Sequence, residues 1–303
     1  MDEALVIARF VHFAAAMAAF GTAAFGLYAL DLNREGAGRG AAARLEDCNI
    51  TLLRISALVM LAAALAIVPS VGARMAGAAS AALDPETIAT VLSATAFGHV
   101  WCWHLLFTVL LIVSATIAAH RRALSLSWAA LALASLGWVG HAAGGSGLTG
   151  IGRELNQSIH LLAAGLWLGG LLPLGWLLRH SDEEPFGTVS GEALPAFSHM
   201  GYGAVAAIAI TGIVNTLILA GSFEALAGTD YGQLLSLKIV LYLAMIAIAL
   251  RNRFRLMPRV ASRAASANRA LYRSVLLEQA IGLGILAAVS LLGTWPPPVM
   301  HHH

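Results

Sequence analysis

Charged side chains are scarce in this sequence. Asp, Glu, Lys and Arg together make up 11% of the 303 residues, whereas hydrophobic residues make up 59%. Soluble domains carry about 25% charged residues, so this composition excludes a protein whose whole surface faces water. The net charge of +2 is also too small to suggest a nucleic-acid partner.

Cysteine is rarer still, and nucleotide-binding signatures are missing. The two cysteines, Cys48 and Cys102, lie far apart and form no CxxC pair, which argues against a disulfide framework. The glycines at 145, 147 and 150 match the pattern GxGxxG. That pattern follows no predicted strand, so it does not indicate a dinucleotide site. No ATPase motif is present.

Long apolar runs with few charges are what the sequence does contain. A helix that crosses about 30 Å of hydrocarbon needs roughly 20 apolar residues, and eight segments qualify. The predicted spans are 4–30, 50–71, 98–119, 124–143, 156–178, 198–220, 232–250 and 271–294. The sequence therefore predicts an all-α integral membrane protein, a bundle of about eight transmembrane helices formed by residues 1–299 as a single domain. Residues 300–303, MHHH, are interpreted as a purification-tag remnant.

The connection 72–97 is the longest between two spans and is too short for a separate core. Within it Asp84 precedes Pro85, and an aspartate can cap a helix whose first turn begins with proline. We therefore expect a short interfacial helix there.

Arginine is distributed unequally between the two sides of the predicted bundle. The connections after spans one, three, five and seven contain twelve arginines, against two after spans two, four and six. Positive residues concentrate on the cytoplasmic side. The asymmetry predicts that both termini lie outside, in the periplasm.

This topology puts five histidines in the outer half of the bundle: His12, His99, His104, His141 and His160. Ionisable groups inside a bilayer are costly and usually face the interior of the bundle. Five imidazoles in one layer therefore indicate a site. The alternative is that each histidine only forms a hydrogen bond with a neighbouring backbone group.

A metal site is the first hypothesis for this layer. His141 and His160 end adjacent helices joined by a glycine-rich connection, so both can reach one point near the outer face. With His99, and with Cys102 as a less certain member, they would form a three- or four-ligand site of the kind copper accepts. His12 lies deeper and could take the ion next.

His104 and Met17 are weaker candidates. Thioether suits Cu(I), but Met17 is rotated about 140° from His12 around the same helix. His104 is rotated equally far from His99, so both could bind one ion only if the helix were distorted.

Lys238 and Glu278 are ionisable residues inside the last two spans. Glu278 is predicted in the inner third, where it could pair with Arg54 of span two. A structural ion pair is one interpretation of these residues, and a relay or ion pathway is the other.

Several segments resemble the copper resistance protein D (CopD) family of bacterial inner-membrane proteins. They are FGHVWCW at 97–103, GHAA at 140–143, HLLAAGLWLGGLLPL at 160–174, FSHMGYGAVAAIAITGIVNT at 197–216 and YGQLLSLKIVLYLAMIAIALRNR at 231–253. The resemblance implies eight spans, an inner-membrane location, a role in copper import and a periplasmic copper chaperone as donor.

The leading hypothesis is a copper-binding membrane protein without enzymatic activity. It would accept copper at the outer histidine cluster and move the ion inward. The alternative is a redox protein that holds haem b between two axial imidazoles, with His12, His104, His141 and His160 as possible pairs. A scaffold that transports no ion is the third possibility.

Overall fold

The structure is a computed structural model that describes residues 2–30, 38–118, 121–139, 147–183, 185–220, 228–261 and 266–296. Its helices are α1 (Asp2–Tyr28), α2 (Gly38–Ala76), α3 (Pro85–Ala94), α4 (Ala96–Ile117), α5 (Arg122–Ser135), α6 (Gly147–His180), α7 (Phe186–Ala220), α8 (Asp230–Arg251), α9 (Met257–Ala261) and α10 (Ala267–Leu292). Short 3-10 helices occupy Ala79–Leu83 and Leu136–Trp138, and a π-helical turn, Asn252–Leu256, joins α8 to α9. These ranges contain no strand, which confirms the all-α prediction.

Within the described ranges, seven helices are long and apolar enough to cross a membrane. They are α1, α2, α4, α6, α7, α8 with its π-helical extension, and α10. The predicted span 124–143 is the exception, because α5 has only 14 residues before the 3-10 turn begins.

Helix α5 nevertheless runs back along α4. Ser125 lies 3.0 Å from Ser114 (Oγ to Oγ), and the Ala132 carbonyl lies 3.0 Å from Nδ1 of His104, so the two helices are antiparallel. At rises of 1.5 and 2.0 Å per residue, α5 and its 3-10 turn extend about 27 Å. That length approaches the hydrocarbon thickness of about 30 Å.

Reporter fusions test the predicted orientation. Fusions after residues 122 and 260 are expected to give cytoplasmic signals. A fusion after residue 146 is expected to give a periplasmic one, because α5 is predicted to return across the bilayer between 122 and 146. Equal signals at 122 and 146 would show that α5 does not cross. A periplasmic signal at 260 would contradict the arginine-based orientation.

The interfacial helix predicted after Asp84 is present as α3. The Asp84 side chain accepts hydrogen bonds from the backbone N–H of Thr87 at 2.8 Å and from its hydroxyl at 2.6 Å. These donors hold the pKa of Asp84 below its usual value, because they stabilise the ionised carboxylate.

Two large apolar clusters and a small one at Tyr231, Leu235 and Leu292 make up the core. One gathers residues of α1, α2, α4 and α5 with the first part of α6. The other gathers α7, α8 and α10 around the rest of α6, together with the ends of α1 and α2. Helix α6 contributes Leu161 to the first and Leu171 to the second, so it joins the two halves of the protein.

Helices α1 and α6 approach so closely that their contact leaves no space for side chains. A Cβ atom on Gly169 would overlap the Met17 carbonyl, and one on Gly21 would overlap the backbone of Gly165 and Gly169. Small residues permit such contacts between membrane helices. The close packing fixes α1, and therefore His12, against α6.

Candidate metal centre

His12 of α1 and His104 of α4 lie together in the core of the N-terminal half. Their ring centroids are 4.8 Å apart, with the two planes inclined at 63°. Only 1% of His12 and none of His104 is exposed. The structure thus pairs one of the stronger sequence candidates with one of the weaker.

The hydrogen bond of His12 defines its tautomer. Nδ1 lies 3.1 Å from the Met60 carbonyl oxygen, and because a carbonyl only accepts, Nδ1 must carry the proton. Nε2 of the neutral ring is then an unprotonated lone pair. This atom is buried and has no hydrogen-bond partner among the described residues.

His104 is held in the same tautomer by α5. Its Nδ1 lies 3.0 Å from the Ala132 carbonyl and 2.9 Å from the Ser135 hydroxyl, which itself donates to Ala132. Nδ1 therefore donates, and Nε2 is the lone pair. The Thr108 hydroxyl is 3.5 Å from Nε2 but donates to the His104 carbonyl at 2.8 Å.

Trp101 closes the site on the side of α2. Its ring stacks on His104 with centroids 5.0 Å apart and lies 5.4 Å from His12. The indole N–H donates to the Ala64 carbonyl at 3.1 Å. Trp101 is one turn before His104 on α4, a spacing visible in the sequence, yet its apolar ring gives no indication of a metal site.

The ring separation restricts what the two Nε2 atoms can bind. With metal–nitrogen bonds of about 2 Å, both could reach one ion at an N–metal–N angle of about 100°. Axial ligands of haem lie on opposite faces of the macrocycle, with ring centroids on the order of 6 Å apart. The centroid separation of His12 and His104 is therefore shorter than a bis-histidine haem requires, and it is compatible with one small ion between the two rings.

The outer members of the predicted site are placed differently. His99 is exposed, and its Nε2 donates to the Ser93 carbonyl at 2.8 Å. Cys102 is exposed as well, and His141 lies outside the described residues. Across the described ranges, no three His, Cys, Asp or Glu side chains are grouped so that they could hold one metal ion.

Met17 is buried about one and a half turns after His12 on α1, in the apolar cluster that also contains Trp101. Its carbonyl faces Gly169 of α6.

His160 belongs to the other half of the protein. Its Nδ1 lies 2.9 Å from the Thr211 hydroxyl of α7. The ring lines a cavity that is also lined by Lys238, with which it interacts electrostatically. The structure therefore places His160 against α7 and α8, apart from the His12–His104 pair.

The predicted pairing of Glu278 with Arg54 is wrong. Arg54 donates from Nε to the Ala115 carbonyl at 2.9 Å, which turns it toward α4. Glu278 accepts from the Asn252 amide at 2.6 Å, and Asn252 accepts from Ser274 at 2.6 Å. Glu278 therefore faces the π-helical turn after α8, away from α2.

A small polar cavity lies further along α1, toward its C-terminal end. It has a volume of about 30 Å³ and is lined by Thr22, Glu46, Asn49, Arg122 and Ser125, together with apolar residues. Glu46 accepts from Arg122 Nε at 2.7 Å. Thr22 Oγ1, both side-chain polar atoms of Asn49 and Arg122 Nη2 are buried there without partners in the described part of the chain. The ten residues from His12 to Thr22 correspond to about 15 Å of helix.

Comparisons with known proteins match the two parts of the chain to separate family models. Residues 1–151, which include α1 to α5, match the family model described as copper resistance protein D-like, N-terminal domain. Residues 191–292 match the model described as copper resistance protein D. No solved structure matches significantly.

Two relatives extend over nearly the whole chain. The chain is 32% identical over 292 residues to inner membrane protein YebZ of Escherichia coli (strain K12), covering 95% of this chain and 97% of that protein. It is 30% identical over 312 residues to copper resistance protein D of Pseudomonas syringae pv. tomato, covering 98% of each. Copper transport protein CutJ of Bacillus subtilis (strain 168) is 29% identical over 231 residues, 73% of this chain and 41% of that protein. The chain belongs to the copper resistance protein D family.

Proposed function

We propose that this protein binds copper at the His12–His104 pair inside the bacterial inner membrane and passes it toward the cytoplasm. The names of its relatives, which refer to copper resistance, copper transport and the inner membrane, support the copper cargo and the location. The pair lies in the half of the chain that matches the N-terminal family model.

The observation that carries this proposal is the pair of unprotonated Nε2 atoms. Backbone carbonyls of Met60 and Ala132 accept the Nδ1 protons of His12 and His104. A carbonyl that binds one imidazole nitrogen orients the other toward a metal and makes it a better ligand. Imidazole is a good copper ligand. A buried nitrogen lone pair that accepts no hydrogen bond is stabilised when it binds a metal ion.

The surrounding charge favours Cu(I) over Cu(II). Arg9, almost one turn before His12 on α1, interacts electrostatically with it. Its positive charge repels a bound cation in proportion to that cation's charge. Trp101 also keeps water from the site, which favours the ion with the smaller hydration demand. We therefore propose the monovalent ion as the cargo.

The direction of transfer follows from the predicted topology. His99 and Cys102 lie outward of His104 on α4, and five residues of helix separate His99 from His104 by about 7 Å. They offer a first contact for copper from a periplasmic chaperone, with His141 as a further donor. The polar cavity at Glu46 and Thr22 lies on the inward side and is the proposed next position.

Copper loading of the purified protein tests the proposal. In detergent with Cu(I) and a competing chelator, the parent is expected to bind about one ion. His12→Ala and His104→Ala should each lower the affinity at least tenfold, because each removes one of two neutral ligands. His180→Ala is the matched control. His180 is the last residue of α6, and its ring is bonded to the Trp176 carbonyl of the same helix.

Folding is checked by thermal melting of each variant without copper. Equal copper affinity in the parent and both folded alanine variants would show that the site lies elsewhere. A loss only in His99→Ala or His141→Ala would instead favour the outer cluster predicted from the sequence.

A further inference from the structure

A large cavity in the C-terminal half has no role in the proposed copper path. Its volume is about 500 Å³, and its walls come from α6, α7, α8 and α10. Most of its lining is apolar. Three of its lining residues, Ile213, Leu217 and Leu243, are also 62%, 67% and 56% exposed on α7 and α8. The cavity therefore opens sideways, between these two helices, toward the lipid.

One end of this cavity is polar and carries two basic side chains. Lys238 and His160 both line it. Among the residues that the structure describes, Lys238 has no hydrogen-bond or ion-pair partner, and its electrostatic neighbour is the imidazole of His160. A lysine side chain without a counter-ion is costly to keep charged inside the membrane. A bound anion would stabilise its ammonium form, so this end of the cavity favours an anion.

The hydrogen bonds of His160 leave Lys238 as the principal donor of this end. The Thr211 hydroxyl donates to the Ala207 carbonyl, so it accepts from Nδ1 of His160. Nε2 of the neutral ring is then a hydrogen-bond acceptor. The ammonium form of Lys238 has three N–H donors, so one can donate to Nε2 and two remain for a ligand.

The depth and small size of the polar end select the type of anion. Lys238 lies eight residues, about 12 Å, beyond the first residue of α8. Beyond Lys238 and His160, the polar side chains of the lining are those of Thr216, Tyr242 and Trp167, and Tyr242 already donates to the Val205 carbonyl at 2.9 Å. A phospholipid headgroup, with its phosphodiester and glycerol ester oxygens, would bury many hydrogen-bond acceptors without donors. A carboxylate has only two oxygens and needs few donors.

We propose that this cavity binds a long-chain fatty acid from the bilayer. The carboxylate is held by Lys238, and the acyl chain lies along the apolar walls. The chain has two routes, the lateral opening between α7 and α8 and a second cavity of about 270 Å³ that shares Trp167, Ala209 and Tyr242 as walls. The proposal is independent of copper binding at His12 and His104.

Binding of cis-parinaric acid, a fluorescent fatty acid, tests this site. Trp167 lines the cavity, so bound parinaric acid should accept its excitation energy with a saturable signal in the purified parent. Lys238→Met is expected to weaken binding at least tenfold, and Lys238→Arg, which keeps the charge, by less than threefold. The methyl ester of parinaric acid should bind the parent at least tenfold more weakly than the acid.

Two variants separate this site from the copper site. His12→Ala should bind parinaric acid like the parent, and Lys238→Met should bind Cu(I) like the parent. A non-saturable signal equal to that of empty micelles would overturn the proposal. Equal affinities for acid and ester would also overturn it, and this comparison needs no variant to fold.

Discussion

Replacing Gly169 with leucine is expected to abolish the stable fold. A Cβ at this position would overlap the Met17 carbonyl and press on the backbone of Gly21. Backbone cannot rotate away as a side chain can, so α1 and α6 would have to separate. Overpacking of a core usually costs about 1–3 kcal/mol, and we expect Gly169→Leu to exceed that range because the contact is with backbone.

Gly203→Leu is the matched control for this change. Gly203 lies in the membrane span of α7, is exposed, and would have no atom within 4 Å of an added Cβ. Its variant should elute as a single peak and melt within a few degrees of the parent. The Gly169 variant should aggregate or melt far lower. Similar melting of both variants would show that α1 and α6 do not pack as closely as described.

The fold was largely predictable from the sequence, because each membrane span is specified by a continuous run of residues. Each span needs its own run of apolar residues, and seven of the eight predicted runs correspond to helices long enough to cross. The cap at Asp84 and the small residues around Gly169 are local signals too. The short α5 was less predictable, since apolar residues continue past its last helical turn at Ser135.

The candidate site was only partly predictable, because it depends on how helices rotate about their axes. Hydropathy shows that His12 and His104 occur at similar depths but not that they face each other. Rotation of α4 buries His104 beside Trp101 and turns His99 outward. His160 is predicted in the same outer half of the bundle, yet α6 presents it to α7 and Lys238.

Ion pairing was the least predictable feature, since opposite charges at similar depth need not meet. Arg54 and Glu278 were expected to pair, but each is bonded within a different half of the protein. The partner of Arg122 is instead Glu46, 76 residues away in the chain. The position of Glu46 near the predicted cytoplasmic end of α2 gave no indication of this contact.

Removing Glu46 is expected to destabilise the N-terminal half strongly. Arg122 and Glu46 are only 15% and 13% exposed, and Arg122 also donates to the Gly26 carbonyl. Loss of one partner leaves a poorly solvated charge beside Asn49, whose amide is already unpaired. Breaking a buried pair costs about 3–5 kcal/mol. We expect Glu46→Leu to lower the free energy of unfolding by about 3 kcal/mol, the low end of that range, because the pair is partly exposed.

The double variant Glu46→Leu, Arg122→Leu should recover much of that loss, because neither charge then remains. Melting of the two single variants and the double variant gives the coupling energy, expected to exceed about 1 kcal/mol for groups in contact. Arg54→Gln and Glu278→Gln form the control cycle, and their effects should add within about 0.5 kcal/mol. Additive effects at Glu46 and Arg122 would contradict the pair. If the double variant also kept its copper affinity while releasing copper more slowly, the polar cavity would act after the His12–His104 site in the transfer.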